Sequence, residues 1–306
     1  MKEILEQDIP RIRQLLREVL GDGDYQQIAR MGGLTNHTYK VTMKDGCTYA
    51  VRLPGEGTEA LINRADEKVS TCLACDLGID ARMLYFGEKG EKVTCYIEGA
   101  STLSAASFAE KEILRKAAQV LRVLHTSGAD TGVPFDVFDM AEGYEKIIGD
   151  NGVPQFDGYE QMKEQIMQIR HYAEKHTDRA IVPCHNDPLC ENWVLDSFGK
   201  LYLIDWEYAG MNDAMWDLAD VSIEAALSEA QEENFLRFYF DREPEEAEMI
   251  RFHANKLYLD FLWALWGKTR VPFSGAEMEA YGQERYARLK KNLDRFKMRF
   301  SEINEE

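Results

Sequence analysis

Two short stretches decide the fold, CHNDPLCENWVLD at residues 184–196 and LYLIDWEY at residues 201–208. Each places ionisable or amide side chains beside a short apolar run of β-forming residues. Burying such groups without partners costs on the order of several kcal/mol, so a fold that places them there must use them. The residues that require an explanation are His185, Asp187, Asn192 and Asp205, in that order.

This order of residues suits a phosphoryl-transfer site, which needs a carboxylate for the attacking hydroxyl and oxygen ligands for Mg²⁺. Asp187, on a loop, can serve the hydroxyl, and Asn192 lies five residues further on. Asp205 follows 18 positions after Asp187 (205 − 187), beyond a predicted hairpin with a Ser-Phe-Gly turn. Both motifs together, in this order, predict a phosphotransferase.

The first hundred residues are predicted to form an antiparallel sheet with one inserted helix. A first helix over 3–20 ends at Gly21, and Lys44-Asp45-Gly46 is a hairpin signal. The predicted strands are 25–31, 37–43, 47–54, 81–87 and 92–98, with the inserted helix at 64–78.

After Glu98-Gly99 the periodicity becomes helical. The predicted helices are 107–126, 138–149, 158–177, 213–239, 244–268 and 276–298, interrupted only by strands at 193–196 and 200–204. The prediction is therefore an α+β, two-lobe fold. A small β-rich lobe with one helix spans 1–97, and a larger, mainly helical lobe spans 98–306.

The net charge and the absence of long apolar runs exclude several classes of function. The 306 residues carry a net charge of −18, which disfavours nucleic acid as a partner and favours a cationic small substrate. No apolar run reaches the length of a membrane span, and the charged, amphipathic N-terminus does not resemble a signal peptide. We therefore expect no membrane association, a cytoplasmic location, and a monomer or homodimer.

HNDPLCEN followed by LIDWEY resembles the choline/ethanolamine kinase family, in particular its bacterial LicA-type choline kinases. That family has a fold similar to the protein kinases and the aminoglycoside phosphotransferases. The resemblance extends over nearly the whole chain, least over 127–180. It includes GGLTNHTYKV (32–41), YAVRLPG (49–55), GTEALINRADEK (57–68), YIEGASTL (96–103) and FLWALW (261–266).

The resemblance implies ATP and Mg²⁺ as cofactors and assigns the catalytic centre. Asp187 would orient or deprotonate the hydroxyl, Asn192 and Asp205 would hold Mg²⁺, and His185 would brace the loop. Arg52 would neutralise the nucleotide phosphates with Glu67 as its ion-pair partner. The other implied nucleotide contacts are Gly33, Thr35 and Asn36 in the phosphate-covering hairpin, and Tyr96, Ile97 and Glu98 in the hinge.

The family's substrate is a small amino alcohol, and a quaternary ammonium is held best by aromatic faces with carboxylates nearby. Trp263 and Trp266 share a helix face. The predicted substrate residues are Asp187, Trp206, Glu207, Tyr208, Glu224, Trp263 and Trp266, whereas Trp193 and Asp217 are expected to be structural.

Several alternatives remain open from the sequence. There is no G-x-G-x-x-G, DWE stands in place of D-F-G, and no A-P-E segment is present, which argues against a protein substrate. Choline is the expected acceptor; ethanolamine, another small amino alcohol, or an aminoglycoside are the alternatives. A non-catalytic binding module is disfavoured because Asp187, Asn192 and Asp205 are all present.

Overall fold

The computed structural model describes residues 4–31, 36–55 and 62–300. Its strands are β1 Tyr25–Arg30, β2 Asn36–Met43, β3 Thr48–Pro54, β4 Met83–Phe86, β5 Lys92–Cys95, β6 Ser101–Thr102, β7 Ile181–Cys184, β8 Trp193–Leu195, β9 Leu201–Leu203 and β10 Gly210–Asp213. Its helices are α1 Ile9–Leu20, α2 Arg64–Asp76, α3 Lys111–His125, α4 Val137–Asp150, α5 Tyr159–His176, α6 Ala214–Glu224, α7 Glu229–Phe240, α8 Glu246–Ser274 and α9 Ala276–Arg299. Across the described ranges, no helix is both long and apolar enough to span a bilayer.

The N-terminal part is a five-stranded antiparallel sheet in the order β1-β2-β3-β5-β4. The predicted hairpin turn joins β2 to β3, and Gly46 adopts the left-handed φ of 88° that its position requires. The buried face of α1 packs against the sheet, with Leu15 and Leu16 sharing a core with Tyr39 and Val41.

Helix α2 is the inserted helix that the sequence predicts, and its start is capped. The side chain of Asn63 accepts hydrogen bonds from the backbone N–H groups of Ala65 and Asp66, at 3.0 and 3.5 Å. Glu67, in the first turn, is completely buried. A buried carboxylate requires a cation, which the sheet supplies.

The C-terminal part is mainly helical and contains short strand pairs that carry the site. The predicted hairpin β8–β9 forms, and β6 pairs with β8. The sequence analysis missed β7 and β10, which pair antiparallel through Cys184 and Gly210. Each is only four residues long, and β7 contains Pro183, so neither gave a strand signal.

The prediction of one continuous helix over 213–239 is wrong. The segment 213–239 forms two helices, because α6 ends at Glu224 and Ala226 takes a left-handed φ of 50°. Ser228 then begins α7 with a capping box to Gln231. The division of the chain at residues 97 and 98 stays a prediction, although the five-stranded sheet ends at Cys95.

Candidate active site

The loop after β7 is held from below by one buried carboxylate. Asp217, near the start of α6, accepts the backbone N–H groups of His185 and Asn186, both at 2.8 Å. Its Oδ2 also lies 3.0 Å from Nε2 of His125, and Asp217 is completely buried. The expectation that Asp217 is structural is therefore confirmed.

Asn186, which the sequence analysis did not single out, is fixed through all its polar groups. Besides the bond from its N–H to Asp217, its carbonyl accepts from Nε1 of Trp216 at 2.9 Å. Its side chain accepts from Nδ2 of Asn212 at 2.9 Å and donates to the carbonyl of Tyr208 at 3.0 Å. Asn186 has a φ of 66°, a left-handed conformation that asparagine tolerates better than most residues. These bonds fix the position of the residue immediately before Asp187.

His185 braces the loop through hydrogen bonds of both ring nitrogens, as expected. Its Nε2 donates to the carbonyl of Ile204 at 2.9 Å, and its Nδ1 accepts the backbone N–H of Asp187 at 3.3 Å. Because one ring nitrogen donates and the other accepts, the imidazole is neutral. Burial lowers the pKa of His185 further.

Asp187, Asn192 and Asp205 converge through backbone contacts. The side-chain amide of Asn192 donates to the carbonyl of Asp187 at 2.8 Å. The N–H of Ile204, the residue before Asp205, donates to the carbonyl of Asn192 at 2.9 Å. Asp187 is partly exposed, and its pKa is raised well above the usual range by burial and then by the charge of Asp205. These contacts hold Asp187, Asn192 and the chain segment that carries Asp205 next to one another.

The donors in this cluster fit a magnesium ion. The Asn192 amide nitrogen is engaged with Asp187, which leaves its oxygen as the available ligand atom. Asp205 has a left-handed φ of 70°, and about a third of its side chain is exposed (36%). Mg²⁺ prefers carboxylate and amide oxygens and keeps several water ligands, and a partly open pair of oxygen donors meets that requirement.

Arg52 on β3 connects the sheet to this centre. Its guanidinium lies 2.5 Å from Glu67, donates to the carbonyl of Gly90 at 3.0 Å, and lies 3.3 Å from Asp205. The predicted ion pair between Arg52 and Glu67 is therefore confirmed. Glycine is favoured at position 90 because its φ of 92° lies in the left-handed region.

Glu207 was predicted to contact the substrate, which stays a prediction; in the structure its carboxylate contacts two residues of the N-terminal part. Its Oε2 accepts from Nδ2 of Asn36 at 3.0 Å and lies 3.4 Å from the guanidinium of Arg64. Both partners belong to the N-terminal part, so Glu207 joins the two parts. Gly33 and Thr35, two of the predicted nucleotide contacts, lie outside the described residues.

The predicted hinge connects β5 to β6, and several of its backbone groups are already paired. The N–H of Tyr96 donates to Thr48 at 3.1 Å. The carbonyls of Ile97 and Glu98 accept from Ala100 and Ser197, both at 3.1 Å. Binding of adenine at this hinge stays a prediction.

A continuous row of aromatic rings borders the other side of Asp187. Tyr208 contacts Trp263 edge to face at 5.2 Å between ring centroids, and Trp263 contacts Trp266 at 6.2 Å. Trp266 in turn contacts Tyr281 on α9 at 5.7 Å. Burial is the largest cause of the raised pKa values of Tyr208 and Tyr281, and the charge of Asp187 is a smaller cause for both, so this carboxylate lies near both rings. We call Tyr208, Trp263, Trp266 and Tyr281 the aromatic wall.

Trp206 does not belong to the aromatic wall, contrary to the sequence prediction. It is 1% exposed, packs edge to face on His185, and donates its N–H to the carbonyl of Leu203 at 3.1 Å. A completely buried ring has no face for a ligand. Trp193 is core, as expected, with its N–H donated to Pro188.

Acidic residues lie near Asp187. Besides Asp205, the charges of Glu224 and Glu207 raise the pKa of Asp187, and Arg285 lowers it. Glu224, a predicted substrate residue on α6, lies 2.6 Å from the guanidinium of Arg285. The sequence analysis missed Tyr281 and Arg285 because α9 showed only helical periodicity.

Comparison with known protein families supports the interpretation of these residues as a kinase site. A family model described as "Choline/ethanolamine kinase" matches residues 27–290. The chain belongs to the choline/ethanolamine kinase family. The resemblance stated from the sequence is therefore confirmed, and so is the protein-kinase-like fold.

Individual members of the choline/ethanolamine kinase family cover most of this chain. "Protein LicA" of Haemophilus influenzae is 28% identical over 247 residues, spanning 78% of this chain and 72% of that protein. "Ethanolamine kinase 2" of Mus musculus is 26% identical over 300 residues, spanning 88% and 77%. The crystal structure of choline kinase LicA from Streptococcus pneumoniae is 33% identical, with a TM-score of 0.82, and covers 94% of this chain and 99% of that one. The protein is an ATP-dependent phosphotransferase with an alcohol acceptor.

Proposed function

We propose that the acceptor is choline and that the product is phosphocholine. The observation that carries this proposal is the aromatic wall beside Asp187, with acidic residues near this carboxylate. Trimethylammonium cannot donate a hydrogen bond, so ring faces and nearby negative charge are the means of holding it. The similarity to a protein called choline kinase LicA supports the same acceptor.

In this proposal, Asp187 accepts the hydroxyl proton of choline as the phosphoryl group is transferred. Burial, and after it the charge of Asp205, raises the pKa of Asp187, and a carboxylate with a raised pKa is a stronger base toward the hydroxyl proton. Asp217 and Asn186 hold the loop so that the carboxylate meets the hydroxyl in one orientation. In this arrangement the aromatic wall holds the ammonium group of choline, and Asp187 deprotonates its hydroxyl.

Asn192 and Asp205 would hold Mg²⁺ through their oxygens. The ion would supply positive charge to the phosphate oxygens and align them for transfer. Arg52, fixed by Glu67 and by the carbonyl of Gly90, directs its guanidinium toward the same space. It would bind the α- and β-phosphates of ATP, while the hinge at 96–98 binds adenine.

The test is an acceptor comparison with purified protein and Mg-ATP. We expect kcat/KM for choline to exceed that for ethanolamine at least about tenfold, since the aromatic wall contributes about 1.4 kcal/mol more to the quaternary ion. ADP release gives the rates, ³¹P NMR identifies the product, and Asp187→Asn controls for contaminating kinases. A preference for ethanolamine, or turnover of kanamycin without choline, would overturn the acceptor assignment.

A further inference from the structure

Three buried side chains connect helix α7 to the loop that carries Asp187. The hydroxyl oxygen of Tyr239 on α7 lies 2.9 Å from Nδ1 of His125, the last residue of α3. Nε2 of the same imidazole lies 3.0 Å from Oδ2 of Asp217, and this oxygen accepts the backbone N–H of His185. Helix α7 therefore reaches the catalytic loop through three consecutive hydrogen bonds.

Each polar atom of this chain has to find its partner within the protein. Asp217 is completely buried, and the side chains of His125 and Tyr239 lie in residues that are at least nine-tenths buried. The two rings meet edge to face with their centroids 5.6 Å apart, which fixes the hydroxyl relative to the imidazole. Because buried polar groups are almost always paired, the direction of each hydrogen bond can be worked out from the donors and acceptors present.

The hydrogen bonds of Asp217 determine which nitrogen of His125 carries the hydrogen. Oδ1 and Oδ2 of Asp217 each accept a backbone N–H, from Asn186 and His185, both at 2.8 Å. A carboxylate that accepts at both oxygens also presents an acceptor to the imidazole, so Nε2 of His125 donates to it. A neutral imidazole has a single N–H, and Nδ1 must then accept a hydrogen bond. The hydroxyl of Tyr239 is its donor.

Cys184 on β7 is the other donor group close to His125. Its Sγ lies within 4.8 Å of a ring nitrogen of His125 and of a carboxylate oxygen of Asp217. A thiol is a weak donor, and this one makes no hydrogen bond to the part of the chain that the structure describes. The hydroxyl of Tyr239, at 2.9 Å, is therefore the group that pairs with Nδ1.

We propose that Tyr239 is a positioning residue for phosphoryl transfer and that it acts through the tautomer of His125. Its hydroxyl holds the imidazole in the form with hydrogen on Nε2, and that N–H holds Oδ2 of Asp217 beneath the loop. The other tautomer would turn the lone pair of Nε2 toward the carboxylate, and two acceptors repel each other. Asp217 would then move, and the N–H of His185 would lose its partner. This inference requires only the phosphotransferase activity and holds for any acceptor.

The first test measures kcat in Tyr239→Phe, which removes the hydroxyl and keeps the ring. We expect kcat to fall at least about fivefold, because a small displacement of a catalytic group costs a large factor in rate. The KM values for ATP and for the acceptor should change less than about twofold, and ADP release measures all three. Tyr286→Phe is the matched control. It removes a hydroxyl that donates to the carbonyl of Asp157, and it should retain the wild-type kcat.

Two further measurements separate the tautomer from a general loss of packing. Nitrogen-15 NMR of histidine-labelled protein should show His125 with its hydrogen on Nε2, and Tyr239→Phe should change this signal. His125→Gln supplies an amide N–H to Asp217 that does not depend on a tautomer. Adding Tyr239→Phe to His125→Gln should therefore change kcat less than about twofold.

Three outcomes would overturn the proposal. An unchanged kcat in Tyr239→Phe would mean that the hydroxyl does not position the loop. An equal loss of kcat with and without His125→Gln would mean that Tyr239 acts by another route. A wild-type His125 with its hydrogen on Nδ1 would reverse the assumed donor. If His125→Gln does not fold, the kcat of Tyr239→Phe and the NMR signal still decide. Failure to phosphorylate choline would overturn only the proposed acceptor, and the same comparisons would then use the amino alcohol that the protein does phosphorylate.

Discussion

Asp205 combines an unusual backbone conformation with an ion-pair contact. It lies at a left-handed position directly after the strand pair β8–β9, and one carboxylate oxygen is 3.3 Å from Arg52. The conformation directs the side chain out of the strand and into the cleft. In the proposed function, the pairing with Arg52 would connect the Mg²⁺ ligand Asp205 to the residue that binds the nucleotide phosphates.

The first prediction concerns Asp205→Asn. We expect kcat to fall at least about 100-fold, because a neutral amide holds Mg²⁺ weakly and the phosphate charge loses its stabilisation. ADP release measures the rate, and circular dichroism should show an unchanged fold. Glu191→Gln, an exposed carboxylate beside Asn192, is the control and should retain wild-type activity. Full activity in Asp205→Asn would remove this residue from the mechanism.

The second prediction concerns pH and Asp80, which is buried behind the site. Burial is the main cause that raises the pKa of Asp80 to about 6. The charge of Lys92 opposes this rise, and the charge of Asp205 adds to it. An unfolded aspartate has a pKa of about 3.9. Between about pH 4 and 6, the folded protein therefore binds a proton that the unfolded chain has lost. The free energy of unfolding consequently falls as the pH rises through this window.

Asp80→Asn should remove this contribution, which amounts to about 3 kcal/mol for a shift of about two units. Urea unfolding of both proteins at pH 4.5 and 7.5 measures it. We expect the variant to lose less stability than the wild type between these two values. Other buried acids act equally in both proteins and cancel in the comparison. Identical losses in both proteins would show that Asp80 titrates normally.

At the scale of elements, the break between α6 and α7 is determined by local capping. The backbone N–H of Ser228 donates to the side chain of Gln231 at 2.9 Å, and the backbone of Gln231 donates to the side chain of Ser228. This reciprocal pair starts α7 in a new direction. The Ser-x-x-Gln signal was present in the sequence, but continuous helical periodicity obscured it.

Ser228→Ala should lower the free energy of unfolding by about 1 kcal/mol, because the helix loses its N-cap. Ser228→Asn, which keeps a capping oxygen, should lose much less. Urea titrations measure both, and kcat should stay unchanged because the cap is remote from Asp187. Equal stability of the Ala and Asn variants would show that the cap contributes nothing.

Helix α8 presents both tryptophans of the aromatic wall, but they differ in burial. Trp263 is 5% exposed, so its truncation would also damage the core, whereas Trp266 is partly exposed. In Trp266→Leu we expect the KM for choline to rise about tenfold and the KM for ATP to stay unchanged. Phe273→Leu, at the exposed end of the same helix, is the control. A parallel rise in both KM values would mean that Trp266 only supports the fold.

Elements with local signals were predictable from the sequence, and long-range partners were not. The Lys44-Asp45-Gly46 hairpin has its own turn chemistry and formed as predicted. The burial of Trp206 and the pairing of Glu207 with Asn36 depend on contacts between distant segments. Nothing near DWE in the sequence indicates which of its side chains faces the cleft.

At the scale of the whole molecule, the N- and C-terminal parts meet through charged and polar contacts. Arg52 reaches Asp205, and Glu207 reaches Asn36 and Arg64. All of these residues border the space between the sheet and the catalytic loop. In the proposed function, a triphosphate bound there would contact both parts.

The most direct test is a crystal structure with Mg²⁺, ADP and choline bound. The account predicts one Mg²⁺ with the Asn192 amide oxygen and an Asp205 carboxylate oxygen as ligands, at about 2.0–2.1 Å. The choline hydroxyl should lie within hydrogen-bond distance of Asp187, and its ammonium should lie against the aromatic wall. An ion held away from these residues, or choline bound outside this cleft, would contradict the account.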